Sequence, residues 1–555
     1  MGRVTRAWVL AVGLAGLVTA TSRPGAAAPE PSEVEAATAV RTQLGSKACG
    51  GPPALAAALV RAGTALTAKE RLDGTVRLQQ CARKAKAWGS LAYATDALLT
   101  LDPTHANPEL LIRALLKMDR RDEALAMLKR LTKLYPDRKA ALTLAESLYV
   151  CEVGQYRACA KATARASQAA RAEGASEDAF EAGVFSMVAS IAIGDLAAFE
   201  AQWKDLTPAL RRLPQATAAP FLTLPDRAAR VGKDGVFIDH DAGKWLALGT
   251  YHLKAAGKID RQPLVLVRLI NHRKTPRTFR IEVQVGGVTE PMRKTVSVAP
   301  GKQVDTALTP PLPMSFEPGK LRAPRTAQLV IRVTEGSELL LEESEPIEVL
   351  PRDYLPLAER VGSDRTLDRR DTAMAWLTPT DPAIDAFLTK AKARVKGSKS
   401  FAGAKAASLA QAKALFDELK ARGLSVVMDP EVFAEAAEVK RTRVPAEVLA
   451  TGNAHALEAT LTFATLLEAI GLRPVVVFLP GHAFVGWEPT AADKSKDKRY
   501  YLDVALIGTG TFDQARRQGD LQFKQLFVGK LLENRQALAL SVAKARAAGI
   551  TPPPF

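Results

Sequence analysis

Four side chains in the last third of the chain can bind a metal ion or move a proton: His455, Glu458, His482 and Asp503. Two imidazoles together with carboxylates are an adequate ligand set for zinc. Their spacing along the chain is not diagnostic, because no short metal-binding motif joins them. A zinc site at these residues is therefore one hypothesis. A structural role for His482, with Asp503 as its hydrogen-bond partner, is the other.

The four cysteines are Cys49, Cys81, Cys151 and Cys159, so a thiol is available only in the first part of the chain. In an exported protein an even number of cysteines favours disulfides over buried free thiols. Three pairings connect four cysteines. The simplest joins Cys49 to Cys81 and Cys151 to Cys159. No cysteine follows Cys159, which bears on any thiol chemistry in the last third.

The N-terminus has the pattern of an export signal over residues 1–20. Arg3 and Arg6 precede an apolar stretch over residues 7–18, and small residues follow it as a cleavage site. The apolar stretch is too short to cross a bilayer comfortably. We therefore expect export to the periplasm or the extracellular space, with no transmembrane span in the mature chain. A retained N-terminal anchor is the alternative. Residues 21–45 are predicted to be a polar linker.

The 555 residues are enough for three or four domains, and 47% hydrophobic with 24% charged residues indicates a folded chain. This composition argues against disorder and against a multi-span membrane protein. The formal net charge is +17, yet nothing in the sequence resembles a nucleic-acid-binding motif. Residues 385–423 contain nine Lys and Arg against three Asp and Glu. This excess predicts either a solvated helix face or a site for an anionic envelope polymer.

Residues 46–215 are rich in Ala, Leu, Lys and Arg with helical spacing, which predicts an all-α domain. The segment at Leu101 recurs at Leu134, an offset of 33, and Ala124 recurs at Ala158, an offset of 34. This period, with alanines where helices cross, resembles tetratricopeptide repeats. The resemblance implies a surface for a protein or peptide partner. A helical bundle with accidental periodicity is the alternative.

Residues 226–350 contain short alternating runs, such as Phe279, Ile281, Val283 and Val285, separated by Gly and Pro turns. They predict an all-β sandwich of the immunoglobulin-like type that serves as a spacer or adhesion module.

A polar linker over residues 351–370 is predicted to lead to a domain over residues 371–555. There the patterns predict a helix over residues 455–470 and strands over 475–479, 482–487 and 500–506, an α+β arrangement.

Segments of this last domain resemble bacterial transglutaminase-like domains, and the stretch PGHAFVG is the most specific of them. The resemblance covers roughly residues 370–520. The matching segments are 376–379, 443–449, 451–458, 463–472, 480–487, 501–503 and 511–515.

This resemblance implies a papain-like α+β fold and a Cys–His–Asp triad for acyl transfer. A thiolate at a helix N-terminus is stabilised by the helix dipole and by an imidazolium that a carboxylate orients. Position by position, the histidine is His482 and the aspartate is Asp503. The cysteine position falls on Ala456, preceded by His455 where the family commonly has Asn. Alanine has no electron pair with which to attack.

The sequence therefore predicts an exported, non-catalytic scaffold or binding protein that needs no cofactor. Its helical domain would bind the partner, and its last domain would keep a degenerate cleft. The alternative is a hydrolase that acts at the His482 and Asp503 cleft. Such a hydrolase would resemble a transglutaminase or a cysteine peptidase if another chain supplied the thiol. It would otherwise depend on a metal ion.

Overall fold

The computed structural model describes most of the chain from residue 31 onward. The described residues are 31–46, 48–49, 51–62, 65–103, 107–172, 174, 176–213, 215–257, 263–361, 365–395, 401–427, 439–479, 482–493, 498–528, 531–532 and 537–553. The predicted signal peptide, residues 1–20, and the first two residues of the PGHAFVG stretch, 480–481, lie outside them. No described helix is both long enough and apolar enough to cross a membrane.

The N-terminal region is helical throughout its described part. Its helices are α1 Pro31–Gly45, α2 Pro52–Arg61, α3 Ala68–Ala85, α4 Trp88–Leu101, α5 Pro108–Lys117, α6 Arg121–Leu134, α7 Lys139–Glu152, α8 Tyr156–Ala172, α9 Ser176–Ile193, α10 Leu196–Leu210, α11 Gln215–Leu222 and α12 Leu224–Asp234. Successive helices pack against each other, α3 on α4, α7 on α8 and α8 on α9 among them. A helical N-terminal region was predicted, and the structure has one.

Helix α1 corrects the predicted linker over residues 21–45. Residues 31–45 are helical, and Ala36, Ala37 and Val40 are buried against Leu55 and Leu59 of α2. Their spacing of three and four residues places these small apolar side chains on one helix face. The stretch is polar on average, but Ala36, Ala37 and Val40 form an apolar face, and this face packs in the helical core.

Both predicted disulfides form. Cys49 is bonded to Cys81 of α3, with a Cα–Cα distance of 5.4 Å, and Cys151 of α7 is bonded to Cys159 of α8 at 4.7 Å. The first joins the segment before α2 to α3, and the second connects two consecutive helices across their turn. No cysteine remains free. This is the simplest of the three pairings, and it is confirmed.

Helix α12 moves the start of the β region from residue 226 to residue 236. Pro225 lies in the first turn of α12, where a proline is well tolerated because the first amides have no helical partner. Leu224, Ala228 and Val231 are buried on one face of the helix. Gly235, at φ 66°, ends the helix in the left-handed conformation that glycine adopts readily.

The β region contains two sheets that share one hydrophobic core. Its strands are β1 Val236–Ala242, β2 Trp245–Ala247, β3 Val265–Asn271, β4 Arg277–Val285, β5 Met292–Val298, β6 Gln303–Leu308, β7 Arg325–Glu335 and β8 Glu338–Leu350. One sheet has the order β1-β3-β6 and the other β2-β8-β7-β4-β5. The four alternating apolar residues of β4 are fully buried, as predicted. A helix that the sequence patterns did not predict, α13 Leu248–Ala255, follows β2.

The predicted linker over residues 351–370 is mostly packed structure, with strands β9 Tyr354–Pro356, β10 Ala358–Val361 and β11 Arg365–Asp368. Glu359 is 2% exposed, and its carboxylate accepts from Lys254 Nζ at 2.6 Å and from Arg369 Nε at 2.8 Å. A buried carboxylate needs such partners. Two charged residues of this stretch, Glu359 and Arg369, thus form an internal ion-pair network with Lys254.

The C-terminal region combines helices with an antiparallel sheet. Its helices are α14 Pro382–Ala391, α15 Ser408–Ala421, α16 Pro445–Thr451, α17 Ala456–Ala469, α18 Phe512–Val528 and α19 Val542–Ala547. Its strands are β12 Ser425–Val427, β13 Val439–Arg441, β14 Asn453–His455, β15 Pro474–Leu479, β16 His482–Trp487, β17 Tyr500–Leu502 and β18 Leu538–Ser541.

The main C-terminal sheet has the order β17-β16-β15-β18. Helix α17 packs against β15 and β16, and a core of large apolar residues lies around it. A second cluster, which includes Val475 and Leu526, lies on the other side of β15. The predicted third strand, residues 500–506, ends at Leu502, because Asp503 caps a 3₁₀ helix over residues 504–506. Strand β18 was not predicted.

Candidate functional site

The N-terminus of α17 is fixed by a reciprocal pair of hydrogen bonds. His455 is the N-cap, and its Nδ1 accepts from the Glu458 amide at 3.3 Å. In return, the Glu458 carboxylate accepts from the His455 amide at 3.2 Å. This capping box satisfies two amides that have no partner within the helix. The first helical residue is Ala456, which is 6% exposed.

Arg443 holds this helix terminus from outside. Its guanidinium donates to both oxygens of Glu458, at 2.9 and 2.7 Å, and to the side chains of Thr451 and Asn453 at 2.9 Å. Burial raises the pKa of Glu458, but hydrogen bonds from Arg443, the nearby His455 and two backbone amides outweigh burial, so its pKa lies below the ordinary value. Glu458 is therefore a buried carboxylate that is held charged by Arg443.

His482 and Asp503 form a hydrogen-bonded pair between the start of β16 and the end of β17. His482 begins β16, and its Nε2 lies 3.0 Å from Oδ1 of Asp503, the residue directly after β17. Strands β16 and β17 are antiparallel neighbours, which brings the start of one close to the end of the other. The two side chains are 13% and 7% exposed. The structure thus brings together the histidine and aspartate that the sequence singled out.

The Asp503 carboxylate has two further partners. Oδ1 also accepts from the Ala505 amide at 3.1 Å, and Oδ2 accepts from Gln522 Nε2 on α18 at 2.9 Å. The Asp503 amide donates to the Ala515 carbonyl at 2.9 Å. These contacts fix the orientation of the carboxylate, and through it the Nε2 side of the imidazole. No described residue forms a hydrogen bond with His482 Nδ1.

A buried hydrogen bond joins α17 to the strand that carries His482. The Thr460 hydroxyl donates to the Ala483 carbonyl at 3.0 Å. Thr460 follows Ala456 by four residues, so the two share one helix face. Ala483 directly follows His482. The first residue of α17 and the first residue of β16 therefore lie at the same end of this helix–strand contact.

The site has an imidazole oriented by a carboxylate, on a strand that is hydrogen-bonded to α17. Acyl transfer by a thiol requires an oriented imidazole of this kind and a nucleophile next to it. The thiol itself is missing. Ala456 occupies the first helical position, and all four cysteines form disulfides in the N-terminal region. The site can orient a proton acceptor, but it has no nucleophile for a covalent intermediate at Ala456.

The hypothesised zinc ligands divide into two separate pairs. His455 Nε2 lies 3.4 Å from the Arg441 carbonyl and 3.6 Å from Glu458 Oε1, whereas His482 Nε2 is directed at Asp503. Among the described residues, a group of three potential ligand atoms within 4.8 Å of one another occurs at one place, in the β region. His455, Glu458, His482 and Asp503 therefore do not form such a group.

The basic excess over residues 385–423 is partly used within the fold. Arg394 and Arg422 both pair with Glu418, at 2.7 and 3.1 Å, and Lys420 Nζ donates to the Gly510 carbonyl at 2.6 Å. Lys413 pairs with Asp417 one helical turn away. A site for an anionic polymer in this segment stays a prediction.

Arg443 and Gln522 were missed as contributors to the site by sequence reasoning. Arg443 lies in a segment that carried the family resemblance, but nothing there indicated its pairing with Glu458, fifteen residues later. Gln522 reaches Asp503 only because α18 packs against β17.

Comparison with known proteins gives no further assignment: no family model, no curated protein and no solved structure matches this chain.

Proposed function

We propose that this chain is an exported, non-catalytic scaffold or binding protein. Its C-terminal region would be a transglutaminase-like fold without the nucleophile, and its helical region a tetratricopeptide-like surface for a protein partner. The observation that carries the proposal is the oriented His482–Asp503 pair at the end of α17 that begins with Ala456.

Loss of the nucleophile has a large effect on catalysis. Removing the attacking residue of a triad costs about six orders of magnitude in turnover. The remaining contacts of His482 and Asp503 also serve the fold, since they connect β16, β17 and α18. A site with His482 and Asp503 but no nucleophile supports ligand recognition or a structural role rather than acyl transfer.

The spacing and packing of the helices support the repeat interpretation. Helix α7 begins 31 residues after α5 (139 − 108), and α8 begins 35 residues after α6 (156 − 121). Helix α5 packs on both α6 and α7, and α7 packs on both α8 and α9. Neighbouring helical hairpins therefore stack, as in arrays whose function is to present a surface.

A cavity of about 340 Å³ between α8, α9 and α10 could hold part of such a partner. Its lining includes Thr163, Ser167 and Gln168 of α8, Ser186 of α9 and Gln202 of α10. Thr163, Ser186 and Gln202 form hydrogen bonds within the protein. The more accessible Ser167 and Gln168 suit the main chain of an extended peptide, which offers donors and acceptors. The two disulfides of the helical region support export, because disulfides persist in oxidising compartments.

The test is affinity capture with the full chain from envelope extract, followed by measurement of the purified partner's dissociation constant. Ser167→Trp should weaken binding by filling the cavity, whereas Lys161→Trp, an exposed position of α8 outside its lining, is the matched control. His482→Ala should leave the affinity nearly unchanged. Binding that depends on His482 and on added zinc would instead support the metal-dependent alternative at the cleft.

A further inference from the structure

Three polar residues occupy core-facing positions in the β region. On β1, Val236 and Ile238 face the shared core, and His240 follows at the same two-residue spacing. On β8, Leu341, Ile347 and Val349 face the core, and Glu343 and Glu345 fill the two positions between them. Side chains two residues apart lie on the same face of a strand. Each of the two sheets therefore has ionisable side chains at core-facing positions where its neighbouring residues are apolar, and these positions lie opposite each other.

The three side chains converge. His240 Nε2 lies 2.8 Å from Glu345 Oε1 and 3.5 Å from Glu343 Oε2, and one ligand atom from each residue lies within 4.8 Å of the other two. In a four- to six-coordinate zinc site with bonds of about 2.0–2.2 Å, neighbouring ligand atoms are about 3.0–3.5 Å apart. Small rotations of the two carboxylates would bring the three atoms to such a geometry.

The charge of the cluster favours a cation. Two carboxylates face a single imidazole, and the ion pairs that each glutamate forms among the described residues are with His240. Nearby arginines are directed to the other face of β1, where Arg227 pairs with Asp239 and Arg268 pairs with Asp241, each at 2.9 Å. The two half-exposed carboxylates repel each other, and a divalent cation would offset this repulsion more fully than one imidazole can.

We infer that His240, Glu343 and Glu345 form a binding site for a divalent cation of the zinc type, which joins the two sheets of the β region. An imidazole nitrogen with two carboxylate oxygens suits zinc better than calcium or magnesium, which prefer ligand sets made of oxygen alone. Three protein ligands leave at least one position for water. The site is separate from the cleft at His482.

The test is calorimetric titration of the full chain with zinc after removal of metal by a chelator. One equivalent should bind, and zinc should raise the melting temperature. His240→Asn and Glu345→Gln should each weaken binding by more than the roughly 10–100-fold that loss of a supporting, non-ligand residue costs. Glu342→Gln is the matched control. This neighbour lies on the opposite face of β8 and pairs with Arg332, so zinc affinity should be unchanged.

Further arms of the experiment separate the alternatives. Circular dichroism spectra that match wild type show that the variants fold, and Glu343→Gln provides a second, independent ligand substitution. His455→Asn should leave zinc binding intact. The inference is overturned if wild-type protein binds no zinc, if His240→Asn and the glutamate variants bind it as tightly as wild type, or if magnesium binds more tightly than zinc.

Discussion

Restoring a thiol at the start of α17 is the sharpest probe of the cleft. In Ala456→Cys the new side chain would lie at the first helical residue, which is 6% exposed, at the same end of the helix–strand contact as His482. The helix terminus and an imidazolium both favour the thiolate over the thiol. If the geometry of the cleft is that of a thiol enzyme, the pKa of this thiol should be strongly depressed.

The expected size follows from two contributions. A partly buried helix terminus contributes about 1–2 kcal/mol, which is about one pKa unit. If the His482 imidazolium approaches the new thiolate to about 4 Å, it contributes up to about 4 kcal/mol at an effective dielectric constant of about 20, or about three pKa units. Burial of the thiolate opposes both. We therefore expect a pKa between about 5.5 and 7, against about 8.5 for free cysteine.

The assay is the pH dependence of alkylation by iodoacetamide on the full chain with its disulfides intact. The midpoint of the profile is more informative than the rate at one pH, because a thiol of lower pKa is also intrinsically less nucleophilic. Two controls separate the contributions. Ala456→Cys with His482→Asn removes the imidazole. Ala68→Cys places a thiol at the first residue of α3, which begins with the same kind of capping box, formed by Thr67 and Glu70.

Both controls should titrate within about one unit of free cysteine, because only the helix terminus then acts on the thiol. A midpoint near 8.5 for Ala456→Cys, or one that His482→Asn does not change, would refute the assignment of Ala456 and His482 to one constellation.

Three further outcomes follow from contacts elsewhere in the molecule. Non-reducing peptide maps of protein made in an oxidising compartment should show the two disulfides, and four free thiols would contradict them. Arg443→Leu should lower the free energy of unfolding by about 2–3 kcal/mol, because it removes the guanidinium that pairs with the buried Glu458 carboxylate. Arg441→Leu at an exposed pair should cost less than about 1 kcal/mol in chemical denaturation. Because the folded pKa of Glu458 lies below its unfolded value, its contribution is present above the unfolded pKa and is lost as the pH falls through the folded pKa. Glu458→Gln should therefore flatten the fall of the denaturation midpoint with acid, and an unchanged slope would count against the Arg443 pairing.

The sequence predicted those features that depend on residues close together along the chain. The alternation in β4, the apolar run of β15 and the helix over residues 455–470 follow from side-chain spacing and are found close to the predicted positions. The cysteine pairing also followed from proximity along the chain. His482 and Asp503 could be named as a pair only through the family resemblance, since 21 residues separate them.

The misses have a common physical cause, because average polarity hides what packing does with individual residues. Residues 31–45 have the polarity of a linker, but Ala36 and Val40 on one face of the helix are buried in the core. Residues 351–370 also have the polarity of a linker, but Glu359 forms buried ion pairs with Lys254 and Arg369. Contacts between distant segments, such as Gln522 with Asp503, depend on tertiary packing that no local pattern encodes. The same holds for His240 with Glu343 and Glu345, which no sequence motif connects.

We expect the site at His482 to hold an imidazole oriented by Asp503 but not to perform acyl transfer. The most direct test is turnover of glutamine-amide, amide and peptide substrates by the purified full chain, with His482→Ala measured beside it. We expect turnover by wild type and by His482→Ala to be at background, because Ala456 provides no nucleophile. Turnover by wild-type protein that persists through purification and disappears in His482→Ala would contradict it.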